Sequence, residues 1–305
     1  MKKTFFTLSY LFFCLLLSAC QTLSFEKKDS RDIYSAFAFP MATAVQVSYQ
    51  DEVTLLRINQ LLTEKKTFSN AKRAVLFYER GLLYDKMGLS AHSRYDFTQA
   101  INSDPTFAPA YNSLGLYLLL AQSYDEAFEA FDSALELSNQ TLSYSYLHRA
   151  IALYEVHRYH LASQDIETFY KLDKTDPYRI LWRYIINSAL DKEKALQALK
   201  SASLEHSDDR YIWNILDVIA QRKTEEELLV NVFQGVKSNN ELAERLCEIY
   251  FYLAHWYKSN AQIDKAIYYF KLSTATNIHE FIEYKYALIE LSAIQTQVKI
   301  LRQQK

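Results

Sequence analysis

Two arginines stand sixteen residues ahead of an aspartate, Arg80 before Asp96 and Arg149 before Asp165. Opposite charges at that spacing meet only if two helices fold back on each other, so the pairs predict helical hairpins with an internal ion pair. Other reactive groups are sparse. His157 and His160 lie three apart, but no cysteine or third histidine is close in sequence, whereas structural metal sites draw on several clustered ligands. No GxSxG, HExxH, Walker loop or CxxC occurs, so the signatures of acyl transfer, zinc hydrolysis, phosphate binding and dithiol exchange are missing. His148 and His255 read as partly buried packing within helices, and Glu225-Glu226-Glu227 as a first helical turn complementing its dipole. No catalytic residue, no metal and no cofactor are expected, and the chain reads as a non-enzyme.

The elements that would carry these groups are helical. The chain has 305 residues, half of them apolar, with only four glycines and four prolines. Those numbers fall far below average usage, which disfavours turn-rich β folds and doubly wound sheets. The size allows one large or two small domains.

A repeat organises the helices. Phe77, Gly81, Tyr84, Gly88, Ser93, Phe97 and Ala100 recur 34 residues later as Tyr111, Gly115, Leu118, Gln122, Ala127, Phe131 and Ala134. After a further 35 they recur as Tyr146, Ala150, Leu153, His157, Ala162, Ile166 and Phe169. Tyr250, Ala254, Tyr257, Ala261, Ala266, Phe270 and Ser273 form a later copy. This order of large and small residues resembles the tetratricopeptide repeat, a helix pair per unit. The expected fold is all-α, with helical hairpins stacked in a superhelix between flanking N- and C-terminal helices. Gly81, Gly115 and Ala150 would let the two helices of a unit approach. A helical glycine costs about 1 kcal/mol relative to alanine, which close packing must offset. The repeat places His157 and His160 in a solvated turn. Where the second unit has Leu114 in place of arginine, it has Ala130 in place of aspartate.

The expected organisation is a signal segment over 1–19, a tether over 20–42 and an N-terminal helix within 43–70, spanning 43–63. Three repeats cover 71–175, degenerate helical repeats 176–246, and a further repeat 247–278. A capping helix and tail occupy 279–305. Ser123 with Glu126 and Thr224 with Glu227 read as capping boxes.

Residues 1–20, MKKTFFTLSYLFFCLLLSAC, have a basic start, a short apolar stretch and Leu17-Ser18-Ala19-Cys20. The pattern is that of a targeting segment and resembles a bacterial lipobox; the alternatives are an ordinary signal peptide or a signal anchor. The resemblance implies lipidation of Cys20, and Gln21 at the second mature position implies the outer membrane, facing the periplasm. Three acyl chains make a stable anchor where one is marginal. Loss of residues 1–19 removes two lysines and no acid, taking the net charge from −2 to −4. A mildly acidic chain without a basic block is a poor nucleic-acid binder. Cys14 leaves with the signal, so Cys247 has no intrachain disulfide partner.

Stacked hairpins present a groove lined by the first helix of each unit. The register assigns to it Val75, Tyr78, Leu82 and Asp85, then Asn112, Leu116 and Leu119, then Tyr144, Leu147, Ile151 and Tyr154. Tyrosine offers large contact area at low entropic cost, so the set suits a peptide or a partner's extended tail. The alternative for each residue is packing against a neighbouring unit or a second copy.

FYERGLLYDKMGLSAHSRYDFTQAI, then YNSLGLYL, DEAFEAFDSALEL and IHEFIEYKYALIELS, together resemble the NlpI family of tetratricopeptide-repeat outer-membrane lipoproteins. The similarity is best over 71–187 and 247–292. The resemblance implies a homodimeric periplasmic adaptor that binds a tail-specific protease (Prc-like) and murein endopeptidases (MepS-like), regulating peptidoglycan remodelling and cell division. The competing expectations are a pilotin for a pilus or secretion system, also a lipidated repeat protein, and a hydrolase with an unrecognised site.

Overall fold

The computed structural model describes residues 39–64, 68–206 and 208–303. The signal segment, Cys20 and most of the tether lie outside these residues. The chain divides into two compact units, Met1–Pro40 and Met41–Lys305; of the first, only residues 39 and 40 are described. Every helix below belongs to the second.

Fourteen α-helices and no strand occur among the described residues. They are α1 (Tyr49–Thr63), α2 (Asn70–Lys86), α3 (Ser90–Ser103), α4 (Ala108–Leu120), α5 (Tyr124–Leu137), α6 (Ser143–Glu155), α7 (Tyr159–Leu172), α8 (Pro177–Ser188), α9 (Lys192–Glu205), α10 (Trp213–Ile219), α11 (Glu225–Val230), α12 (Asn239–Ser259), α13 (Ile263–Thr274) and α14 (Ile282–Gln303). The most extensive packing is within the pairs α2/α3, α4/α5, α6/α7 and α12/α13, with α8/α9 a fifth pair.

The small residues lie where the paired helices cross. A Cβ added to Gly81 would stand 2.6 Å from Cε1 of Phe97; one added to Gly115 would stand 2.6 Å from Cε1 of Phe131 and 3.2 Å from Ala130 Cβ. Phe131 and Ala130 are buried, so neither has room to retreat. Gly115→Ala is therefore expected to destabilise the chain although alanine is the better helix former: overpacking costs about 1–3 kcal/mol, against about 1 kcal/mol of recovered propensity. Urea unfolding reads the balance, and a more stable variant would show that the crossing is not tight.

The turn inside each hairpin needs a left-handed residue. Gly88, Gln122, His157 and Ala261, equivalent by the repeat, have φ of 72°, 60°, 61° and 58°. Only the first is glycine. There a Cβ would meet the His279 ring at 2.8 Å, so the close approach of the segment before α14 adds a reason that the other three turns lack.

Several expected boundaries move. The N-terminal helix starts at Tyr49, not at 43, because Ser48 caps it by accepting from the Asp51 N–H. The residues before it are non-helical and tied to distant residues: the Val45 N–H donates to Thr276 O, and Thr43 exchanges two hydrogen bonds with Asn239. The capping box at Thr224 and Glu227 forms. The one expected at Ser123 does not, since Ser123 sits at φ −83°, ψ 70° with no side-chain cap bond. The left-handed Gln122 sets that turn, and the Ser123 N–H goes to Leu118 O. Helix α12 begins at Asn239, capped by Ser238, eight residues before the expected repeat start at 247. Within 176–246, α8 and α9 form a full hairpin, while α10 and α11 are short. Tyr257 and Tyr269 both donate to Glu225, tying α11 to the α12/α13 pair.

Candidate functional site

The ion pairs form a ladder between units. Arg80 donates from Nε and Nη2 to the two Asp96 carboxylate oxygens at 2.6 and 2.7 Å, and its Nη1 reaches Asn59 of α1 at 2.7 Å. Arg149 holds Asp165 the same way, at 2.7 Å twice, and reaches back to Asp132 of α5 at 2.6 Å. Each arginine thus joins the two helices of its unit and also ties the unit to the helix before it. Hydrogen bonding to Asp96 raises the Arg80 pKa against the effect of burial. A third rung escaped the sequence reading. Arg183 of α8, 34 residues past Arg149, contacts Glu167 of α7 at 2.7 Å. The repeat shift leads from Arg149 to Arg183, but from Asp165 to Leu199; the acid that answers Arg183 lies sixteen residues behind it, in the preceding unit.

The groove residues divide sharply. Leu119 and Leu147 are almost completely buried, as are Ile151 and, at the margin, Leu116. This corrects the expectation that these four offer a free surface. Tyr78 is half-buried and lies against the Phe97 and Phe107 rings. Asn112 accepts from the Ser145 hydroxyl and lies 3.0 Å from His148 Nδ1, a bond between successive units. Asp85 accepts from Lys285 at 2.9 Å and from the Tyr117 hydroxyl. Tyr154 is half-buried under the Lys258 ammonium. Val75 is half-buried too, and only Leu82 (36%) and Tyr144 (48%) are exposed.

What meets part of this face is the chain's own C-terminal helix. Beyond covering α13 and α12, α14 packs on α4. Lys285, itself buried, pairs with Asp85 and donates to His279 O. The Tyr286 ring lies 6.4 Å from His148 and 5.5 Å from Trp182. Glu283 accepts from Tyr252, and Glu290 from Lys258. None of these α14 residues was expected to touch the groove. Charged Glu283, Lys285 and Glu290 interspersed among the apolar residues of the first half of α14 were the available signal.

Burial shapes the titratable groups around α14. It lowers His148 to about 3, helped by Lys285, and His255 to about 4. It raises Glu248 to about 8, with Glu283 adding to the shift. Cys247 is buried against Ser273, its thiol pushed up to about 12 by burial, and so is not a reactive thiol. His157 lies in an exposed turn 2.7 Å from the Tyr159 hydroxyl, and His160 is exposed in the next helix. No group of three His, Cys, Asp or Glu residues placed to hold a metal occurs among the described residues. No described helix is long and apolar enough to cross a membrane.

Antiparallel hairpins with small residues where paired helices cross, stacked unit on unit, define a tetratricopeptide-repeat fold. One solved structure agrees on the fold, and two others are similar chains. The apo form of RapI has a TM-score of 0.52 at 14% identity, over 75% of this chain and 90% of that one. A tetratricopeptide repeat protein from Parabacteroides merdae has a TM-score of 0.48 at 14% identity, over 80% and 78%. YrrB, a repeat protein with an unusual peptide-binding site, has 0.42 at 12% identity, over 77% and 98%. No protein-family model matches the chain.

Proposed function

We propose that this protein is a non-catalytic adaptor, anchored by lipid on Cys20 to the periplasmic face of the outer membrane. It binds a tail-specific protease of the Prc type and presents murein endopeptidases of the MepS type to it, acting in peptidoglycan remodelling and as a homodimer. The lipobox and the NlpI resemblance support the location and the partners. One observation carries the binding surface: Leu82 and Tyr144 remain exposed on the first helices of their units. Each lies about one turn from a residue that α14 touches, Asp85 and His148.

Because both side chains are partly exposed, Leu82→Glu with Tyr144→Glu is expected to keep the helical content and to lower the urea midpoint only by the loss of the Tyr144 ring contacts with Phe169 and His148. The same variant should weaken binding of the purified protease at least tenfold by calorimetry. Full binding by a folded double variant would move the partner surface elsewhere.

A further inference from the structure

Four helices converge on a small, mostly apolar cavity into which two carboxylates reach. Its volume is about 10 Å³, about that of one water position. Helix α6 contributes Tyr154 and Glu155, α12 His255, and α14 Tyr286 and Glu290; α8 contributes Trp182, Ile185 and Ile186, which carry no charge. A cleft of about 160 Å³ opens beside it, adding Tyr184, Ser188, Lys192, Lys258 and Ser259.

The charges here do not balance. Two carboxylates, Glu155 and Glu290, share the surroundings of one available ammonium. Lys258 donates to Glu290 Oε2, while Lys192 is committed to Ser259 O and Asn260 Oδ1. His255 Nε2 stands 3.6 Å from Glu290 Oε1, beyond hydrogen-bond reach, and burial keeps that imidazole neutral. Glu290 Oε1 and the Tyr286 hydroxyl are buried with no hydrogen-bond partner among the described residues. A second negative charge in such a place is costly, and the cheapest relief is a proton.

We propose that α14 is held in the groove by a proton-linked latch: Glu155 of α6 carries a proton beside the Glu290 carboxylate of α14, so docking of α14 tightens as the pH falls. Burial, with Glu290 next, raises the Glu155 carboxyl from 4.5 to about 7. A raised carboxyl stabilises the docked state fully below its undocked pKa, and that contribution disappears as pH rises through the docked value. The sensitive window therefore runs between the undocked and docked values, from 4.5 to about 7, and the loss is steepest midway between them, at about pH 6.

Hydrogen exchange of the α14 amides in the full chain, corrected for intrinsic rates, reads the opening equilibrium. Between pH 6 and pH 8, Glu155 should contribute about tenfold to the rise in opening. Glu155→Gln should remove that tenfold. Glu248, Glu283 and the histidines titrate equally in both proteins, so they cancel in the comparison. A Glu155→Gln chain with the wild-type ratio of opening at the two pH values overturns the latch. Should that variant not fold, Glu290→Gln removes the neighbouring charge and must shrink the ratio. An unchanged ratio there overturns the latch equally.

Discussion

Leu147→Glu is expected to unfold the stack and not merely to empty a groove. Leu147 lies on the face that repeat proteins commonly present to ligands, yet it is 1% exposed. Removing a buried leucine costs about 2–5 kcal/mol. A carboxylate left there without a partner adds several more, or takes up a proton. Against a typical total stability of about 5–15 kcal/mol, the variant should lose at least about 4 kcal/mol in urea unfolding, with lower helicity at physiological temperature. A stable, helical Leu147→Glu chain would mean that the face opens readily to water, which its burial does not allow.

The second large effect concerns the Arg80–Asp96 pair. Asp96 is fully buried and takes both of its hydrogen bonds from Arg80. Arg80→Leu alone leaves a buried carboxylate unpaired, which should cost about 3–5 kcal/mol. Adding Asp96→Ala should recover most of that loss, because unit two already works with Leu114 and Ala130. Asn59 loses one donor in both variants, so its contribution cancels between them. A double-mutant cycle by urea unfolding measures the coupling. If the double variant is no more stable than Arg80→Leu, the two residues do not act as a pair.

Why some of this was legible in the sequence and some was not follows from contact range. Gly81, Gly115, Phe97 and Phe131 are neighbours within one hairpin, and the 34-residue shift repeats them, so composition and spacing report their packing directly. The Arg–Asp rungs were readable for the same reason, whereas Arg183 was not: the shifted partner position is Leu199, and its acid, Glu167, belongs to the unit before. The groove was misread at Leu116, Leu119, Leu147 and Ile151 because their helical spacing is the same whether the covering group is a partner or the chain itself. The Lys285–Asp85 contact spans 200 residues, and no local pattern encodes it. Ser123 failed as a cap because backbone torsion at Gln122, invisible in residue type, had already set the turn. The start of α1 moved because distant Thr276 and Asn239 satisfy the backbone of residues 43–45.

The exposed pair and the buried four together sharpen where partners can act. In the proposed adaptor, a groove partly filled by the chain's own C-terminal helix would leave a partner the margin of that helix, at Leu82 and Tyr144, and not the groove floor. The pH dependence of α14 docking would then tune how much of that margin is available.

The central claim, that this chain controls an endopeptidase by adapting it to a protease, is tested most directly by deleting the gene and quantifying the envelope proteome. The account predicts that a murein endopeptidase accumulates several-fold, and that the wild-type gene restores its level while the Cys20→Ser or Leu82→Glu/Tyr144→Glu forms do not. Unchanged hydrolase levels in the deletion strain would contradict it.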